Sequence, residues 1–145
     1  MEKARLSEYS SGELVELFDG EAQKIAAGFI REKKDKSYSV THSQMRRFYN
    51  EVKSLDRKLD GSPGAWEKNC LYIALIKSKV SYNVARAIDK RPSEGDVYKS
   101  LSAFIMKYIG KVKDEKDYHI FTLLFEAVYG FYYKETVEKD IKGEH

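Results

Sequence analysis

LYIALIKSKVSYNVAR, residues 71–86, decides how this chain is read. Leu71, Ile73, Leu75, Ile76, Val80 and Val84 spread around a helix instead of lining one stripe, the pattern of a central helix in contact with several others. Its charges then need an explanation. Lys77 and Lys79 interrupt the run and Arg86 ends it, so either they escape where the apolar surface allows or they have a partner. Lys77 shares an angular sector with Trp66, Cys70, Val84 and Ile88, the apolar side. It is expected to snorkel, or to pair with an acid such as Glu126.

Outward from that stretch the periodicity stays helical. The helix holding it is predicted from Ala65 or Trp66 to about Asp89, stopped by Arg91-Pro92. Upstream, Thr41 followed by Gln44 fits a capping box, and Met45, Phe48, Val52, Leu55 and Leu59 form one core-facing stripe. Asp60-Gly61-Ser62-Pro63-Gly64 ends that helix. Before it, a helix is predicted over 11–34, with Gly20 and Gly28 as points where it can break or bend, followed by the charged connection REKKDK (31–36). Downstream, Ser93 with Asp96 is expected to cap a fourth helix that Gly110 closes. A fifth begins at DYHIF (117–121) and turns Phe121, Leu124, Phe125, Val128 and Tyr132 inward. No repeat, no low-complexity tract and no strand-like alternation of useful length is visible. The fold class is all-α, a compact bundle of about five helices forming one domain over 1–145, with about the first ten and last five residues expected to be flexible.

At 145 residues, 42% hydrophobic and 34% charged, the chain suits a single soluble domain with a real core. One cysteine, Cys70, excludes a disulfide framework and fits a reducing, cytoplasmic setting as a small buried hydrophobe. The N-terminal stretch lacks an apolar signal-peptide core, and no apolar run reaches spanning length. The net charge of +3 is ordinary, but residues 41–91 hold eleven Lys or Arg against five acids, a surplus of six that leaves the remainder at −3. A basic middle of this kind suits a polyanion.

Catalytic chemistry finds no support. His42, His119 and His145 lie far apart, one cysteine cannot write a zinc signature, and there is no phosphate loop, nucleophile elbow or H-E-x-x-H. Glu126 among apolar neighbours reads as a cap or ion-pair residue, and Glu115 and Asp117 as solvated. The chain is therefore expected to be no enzyme, with no catalytic residue, no metal site and no cofactor.

The cations are another matter. Arg46, Asn50, Lys53 and Arg57 fall at i, i+4, i+7 and i+11 on a face away from the apolar stripe. Lys79, Asn83, Arg86 and Lys90 repeat the spacing, with Lys68 and Tyr72 extending the line backward. Two helices with ladders of cations and amides match a phosphate backbone, which needs charge at intervals and donors that ignore sequence. The plainer reading of each ladder is an ordinary solvated face.

In order and spacing, THSQMRRFYNEVKSL (41–55), LYIALIKSKVSYNVAR (71–86) and DYHIFTLLFEAVYGFYY (117–133) resemble the small helical subunit of type III-A CRISPR–Cas effector complexes. The first stretch is similar to that family's Thr- or Ser-capped helix with Gln, Arg and an aromatic pair. The second meets its Lys-x-x-Tyr-x-x-x-Arg pattern with Lys79, Tyr82 and Arg86, and the third its Phe-Glu-Ala core with Phe125, Glu126 and Ala127. Ser78 departs from the family, standing where proline precedes the lysine, which bears on a local bend.

The resemblance implies a non-catalytic, RNA-binding subunit of an antiviral defence complex. Several copies would stack head-to-tail along the duplex of guide RNA and target RNA, while other effector subunits do the cutting and no membrane is involved. It carries over Arg46, Lys53, Lys79 and Arg86 as RNA-facing cations. Surplus aromatics, Tyr49, Tyr129 and Tyr133, are the candidate contacts between copies. Two other readings stand beside this one: a helix-turn-helix-like reader of duplex DNA, and a pure assembly module whose basic middle meets an acidic protein. The Gly-Ser-Pro-Gly linker is long for the former, and no dimerisation heptads appear.

Overall fold

The computed structural model describes residues 2–139 and 141. Residues 142–145, most of the C-terminal segment expected to be flexible, lie outside the described residues, and His145 with them. The architecture is all-α, five helical rods with one minute hairpin.

The first rod joins α1 (Ser11–Glu16) to α2 (Ala22–Ala27) through a π-helical turn, Leu17–Glu21, that contains Gly20. Ser10 and Glu13 form a reciprocal capping box at its start. The rod stops at Gly28, short of the 34 expected. There the chain reverses through β1 (Ile30–Arg31) and β2 (Tyr38–Ser39), paired Ile30 with Ser39 and Arg31 with Tyr38. Burial explains the correction: Phe29, Ile30, Tyr38 and Val40 all enter the core, which a continued helix could not achieve. The charged residues 32–36, with Ser37, form the exposed tip.

Helix α3 (His42–Lys58) begins at Thr41, whose hydroxyl accepts the Gln44 N–H at 3.1 Å. The return half of the expected capping box is missing. Thr41 N–H donates to the Tyr98 hydroxyl at 3.3 Å, and Gln44 Oε1 is buried with no partner among the described residues. Gly61 (φ +83°) and Gly64 (φ +81°) supply the left-handed backbone that turns the chain into α4 (Ala65–Asn69) and α5 (Leu71–Lys90). The helix expected from 65 to 89 is thus divided at Cys70, which is half-buried, while α5 itself runs unbroken through Ser78.

A short 3₁₀ turn, Pro92–Glu94, leads into α6 (Gly95–Ile109). Ser93 does not cap it. Asp96 is engaged elsewhere, accepting the Tyr38 hydroxyl at 2.8 Å and the Arg31 guanidinium at 2.7 Å, which fastens the hairpin to this helix. Helix α7 (Glu115–Glu138) starts two residues before its expected position, because Asp114 accepts the Asp117 N–H at 2.9 Å as N-cap. Within residues 2–9, Leu6 and Tyr9 are buried and Arg5 pairs with Asp114 and Asp117.

The central helix is α7, not α5. Tyr118, Phe121, Leu124, Phe125, Val128 and Tyr132 have no exposed surface, and α2, α3 and α6 all pack on this helix. Helix α5 is peripheral. It rests Ile73, Ile76, Val80 and Val84 on α6 and α3, and among the described residues its opposite side stays exposed. Leu71 (56% exposed), Leu75 (45%) and Tyr82 (61%) therefore face water. A helix apolar all round marks a middle position only when neighbours exist on every side, and here they do not.

Candidate nucleic-acid interface

Helix α3 lies between α7 and α5, so its two edges have different neighbours. The edge toward α7 carries Tyr49, Lys53 and Asp56. Tyr49 O–H donates to Glu126 at 2.7 Å, Lys53 Nζ reaches the same oxygen at 3.2 Å, and Asp56 meets the His119 ring. Hydrogen bonds from Tyr49 and then Lys53 hold the Glu126 carboxyl below its ordinary range, and Glu126 in turn raises Lys53. Glu126 is an ion-pair residue as expected, but its cation is Lys53. Lys77, on α5, is exposed to solvent and does not reach it.

The edge toward α5 reads Gln44, Arg47, Glu51, Ser54 and Lys58, a second helical stripe that the sequence reading passed over. Glu51 takes Lys79 from α5 with both carboxylate oxygens, at 3.0 and 3.2 Å. North of that pair, a groove between the helices is lined by Gln44 and Arg47 on one side and Asn83, Arg86, Ala87, Asp89 and Lys90 on the other. A neighbouring depression on the crest of α3 is lined by Ser43, Arg46, Arg47, Asn50, Glu51 and Ser54. Arg47 and Glu51 belong to the groove edge and to the crest alike. A third depression, around Thr41, Ser43, Lys90, Arg91 and Tyr98, continues toward the start of α3.

Of the eight residues singled out by spacing, the fold brings five onto this continuous surface: Arg46, Asn50, Asn83, Arg86 and Lys90. Among the described residues, Arg46, Arg86 and Lys90 have no carboxylate partner, nor does Arg47. The Asn83 amide donates one of its two N–H groups back to Lys79 O at 2.9 Å, which leaves the second as a donor. Three residues stand apart. Lys53 is bound to Glu126, Lys79 to Glu51, and Arg57, exposed on the crest, lies outside these depressions. Arg47 is the residue missed. It sits about 100° around the helix from Arg46, and only the position of α5 makes that direction the groove.

The surface offers charge and hydrogen-bond donors along an open groove. Among the described residues no three His, Cys, Asp or Glu side chains stand together as a metal site would require. His42 contacts the Thr136 hydroxyl at 2.8 Å and packs on Tyr132, so it serves the core. No helix among the described residues is long and apolar enough to cross a membrane.

The candidate self-contact residues divide in the same way. Tyr49 and Tyr129 pack on each other at 5.1 Å between ring centroids, inside the α3–α7 seam. Tyr133 is exposed, and so are Leu123 and Val137 on the same outer face of α7.

A model of the family Csm2 Type III-A matches residues 13–136. The match runs from α1 to the last turn of α7 and takes in both basic helices. Neither a search of curated proteins nor one of solved structures gave a match.

Proposed function

The chain belongs to the Csm2 type III-A family, the structural small subunit of the multi-subunit Csm complex in type III-A CRISPR systems, and from that premise we propose that it binds RNA within this complex. In this reading it is non-catalytic, and several copies lie along the duplex of guide RNA and target RNA. The observation that carries the RNA part is the row of cations with no carboxylate partner among the described residues, on the α3 crest and the α3–α5 groove: Arg46, Arg47, Arg86 and Lys90, interleaved with Asn50 and Asn83. A protein that needed these cations for its own stability would have paired them, as it pairs Lys53 and Lys79. Left open, they suit phosphates, whose bound counterions are released on contact.

The test is charge reversal. Purified protein carrying Arg46→Glu and Arg86→Glu should keep its helicity and lose RNA affinity. The slope of log affinity against log salt should become shallower by about one to two units. An unchanged slope in a folded double variant would place the RNA elsewhere. For contact between copies, the outer face of α7 with Leu123, Tyr133 and Val137 is the surface this reading favours, in place of Tyr49 and Tyr129.

A further inference from the structure

Two tyrosines lie on the exposed side of α5. Tyr72 is 41% exposed and Tyr82 61% exposed, and neither hydroxyl has a hydrogen-bond partner among the described residues. Neither ring packs on another aromatic ring among the described residues, whereas Tyr49, Tyr118, Tyr129 and Tyr132 all do. What each has is a cation over its face. Lys58 Nζ, from the groove edge of α3, stands 5.1 Å from the Tyr72 ring centroid, and the Arg86 guanidinium stands 5.6 Å from that of Tyr82. Ten residues separate the two along α5, about 15 Å at the helical rise.

We infer that Tyr72 and Tyr82 are stacking platforms for unpaired nucleobases of the RNA strand whose phosphates follow the α3–α5 groove. The inference rests on the RNA reading above and adds what part of the nucleotide is held, and where. A ring with a cation on one face has its other face free for a base, and base–aromatic stacking accepts any base because every base has a π-face. The cations that cover the rings come from the groove side, so one nucleotide can meet both groups: base on tyrosine, phosphate toward Lys58 or Arg86. Continuity with the row of cations on the α3 crest and the α3–α5 groove favours RNA over a protein helix as occupant. Of the two carboxylates along this surface, Glu51 is already bound by Lys79 and Asp89 stands exposed between Arg86 and Lys90 on α5. Leu75, which lines the same depression as Tyr72 and Lys58, gives an apolar edge beside the first platform. A base paired inside a duplex cannot reach these rings, so the strand must present unpaired nucleotides at this face.

The experiment uses the full chain and three probes of equal length: single-stranded RNA, the same strand with abasic sites throughout, and a fully paired duplex. Tyr72→Ala with Tyr82→Ala should weaken binding to the single strand at least about tenfold. It should leave the salt slope unchanged and barely affect the abasic strand or the duplex. Tyr72→Phe with Tyr82→Phe should bind as the parent does, since stacking needs the ring and not the hydroxyl. Equal losses on all three probes would overturn the inference, because the tyrosines would then only shape the cationic groove. Unchanged RNA binding alongside loss of self-association or of co-purifying subunits would overturn it in favour of a protein contact. If the alanine variant binds like the parent while charge reversal at Arg46 and Arg86 abolishes binding, stacking fails and the RNA reading survives. A parent chain that binds none of the probes removes both.

Discussion

Asp117 carries its carboxylate where no solvent reaches it. Burial alone would push its pKa up. The N–H groups of Ser7 at 2.7 Å and Lys113 at 2.8 Å, with the Arg5 guanidinium at 3.1 Å, outweigh burial and hold it below the ordinary carboxylate range. Removing the carboxylate leaves those donors unsatisfied, so Asp117→Ala should cost about 3 kcal/mol in urea unfolding at neutral pH. The sign of the pH dependence follows from the depressed value. The unfolded chain binds this proton more readily, so the stabilisation is complete above the unfolded pKa of about 4 and is lost as pH falls through the folded one. Acid unfolding curves of the parent should therefore fall more steeply below that point than those of the variant. Nothing in the sequence distinguishes this residue from Glu115. Both sit in a run of charges, and only the return of residues 5–7 onto α7 makes one of them a buried anchor. The same limit applied to Lys53 and Lys79, which spacing alone could not separate from Arg46 and Arg86. Their carboxylate partners lie on other helices, 73 and 28 residues away in sequence.

Elements were more legible than their surroundings. The Thr41 cap, the Asp60–Gly64 break, the Gly110 stop and the inner stripe of α7 all appear where local chemistry put them, because capping and periodicity act within a few residues. The hairpin at 30–39 was not legible, since a two-residue strand has no period to show. Nor was the exposure of α5, because its covering depends on neighbours and not on its own pattern. Adjacent substitutions on α5 separate the two sides. Leu75→Ser should change stability by no more than about 0.5 kcal/mol, as for an exposed site. Ile76→Ala, one residue further on and facing α6 and α3, should cost about 3 kcal/mol. Thermal or urea unfolding of the two variants reads the difference directly, and equal losses would mean that α5 is covered on both sides.

At the scale of the molecule, the cations of the α3 crest and α3–α5 groove and the exposed apolar residues of α7 belong to different elements, α7 packing its other sides on α2, α3 and α6. A molecule that uses one side for a strand and another for its neighbour can repeat along that strand without closing on itself. Contact through Leu123, Tyr133 and Val137 alone is small, so the isolated chain should sediment mainly as a monomer. Larger species should form when RNA aligns the copies and raises their effective concentration. A tight closed dimer that ignores RNA would argue against this arrangement. The position of α7 in the chain has a consequence of a different kind, in time. The helix that fills the core follows every helix it covers. During synthesis α1, α2 and α3 leave the ribosome with Phe29, Met45, Phe48 and Val52 uncovered; α5 and α6 meet part of that surface, and it closes only when residues near Phe125 and Tyr132 arrive. Folding of this subunit waits for nearly the whole matched region to be translated, and its nascent chain spends that interval with apolar surface open to chaperones and proteases.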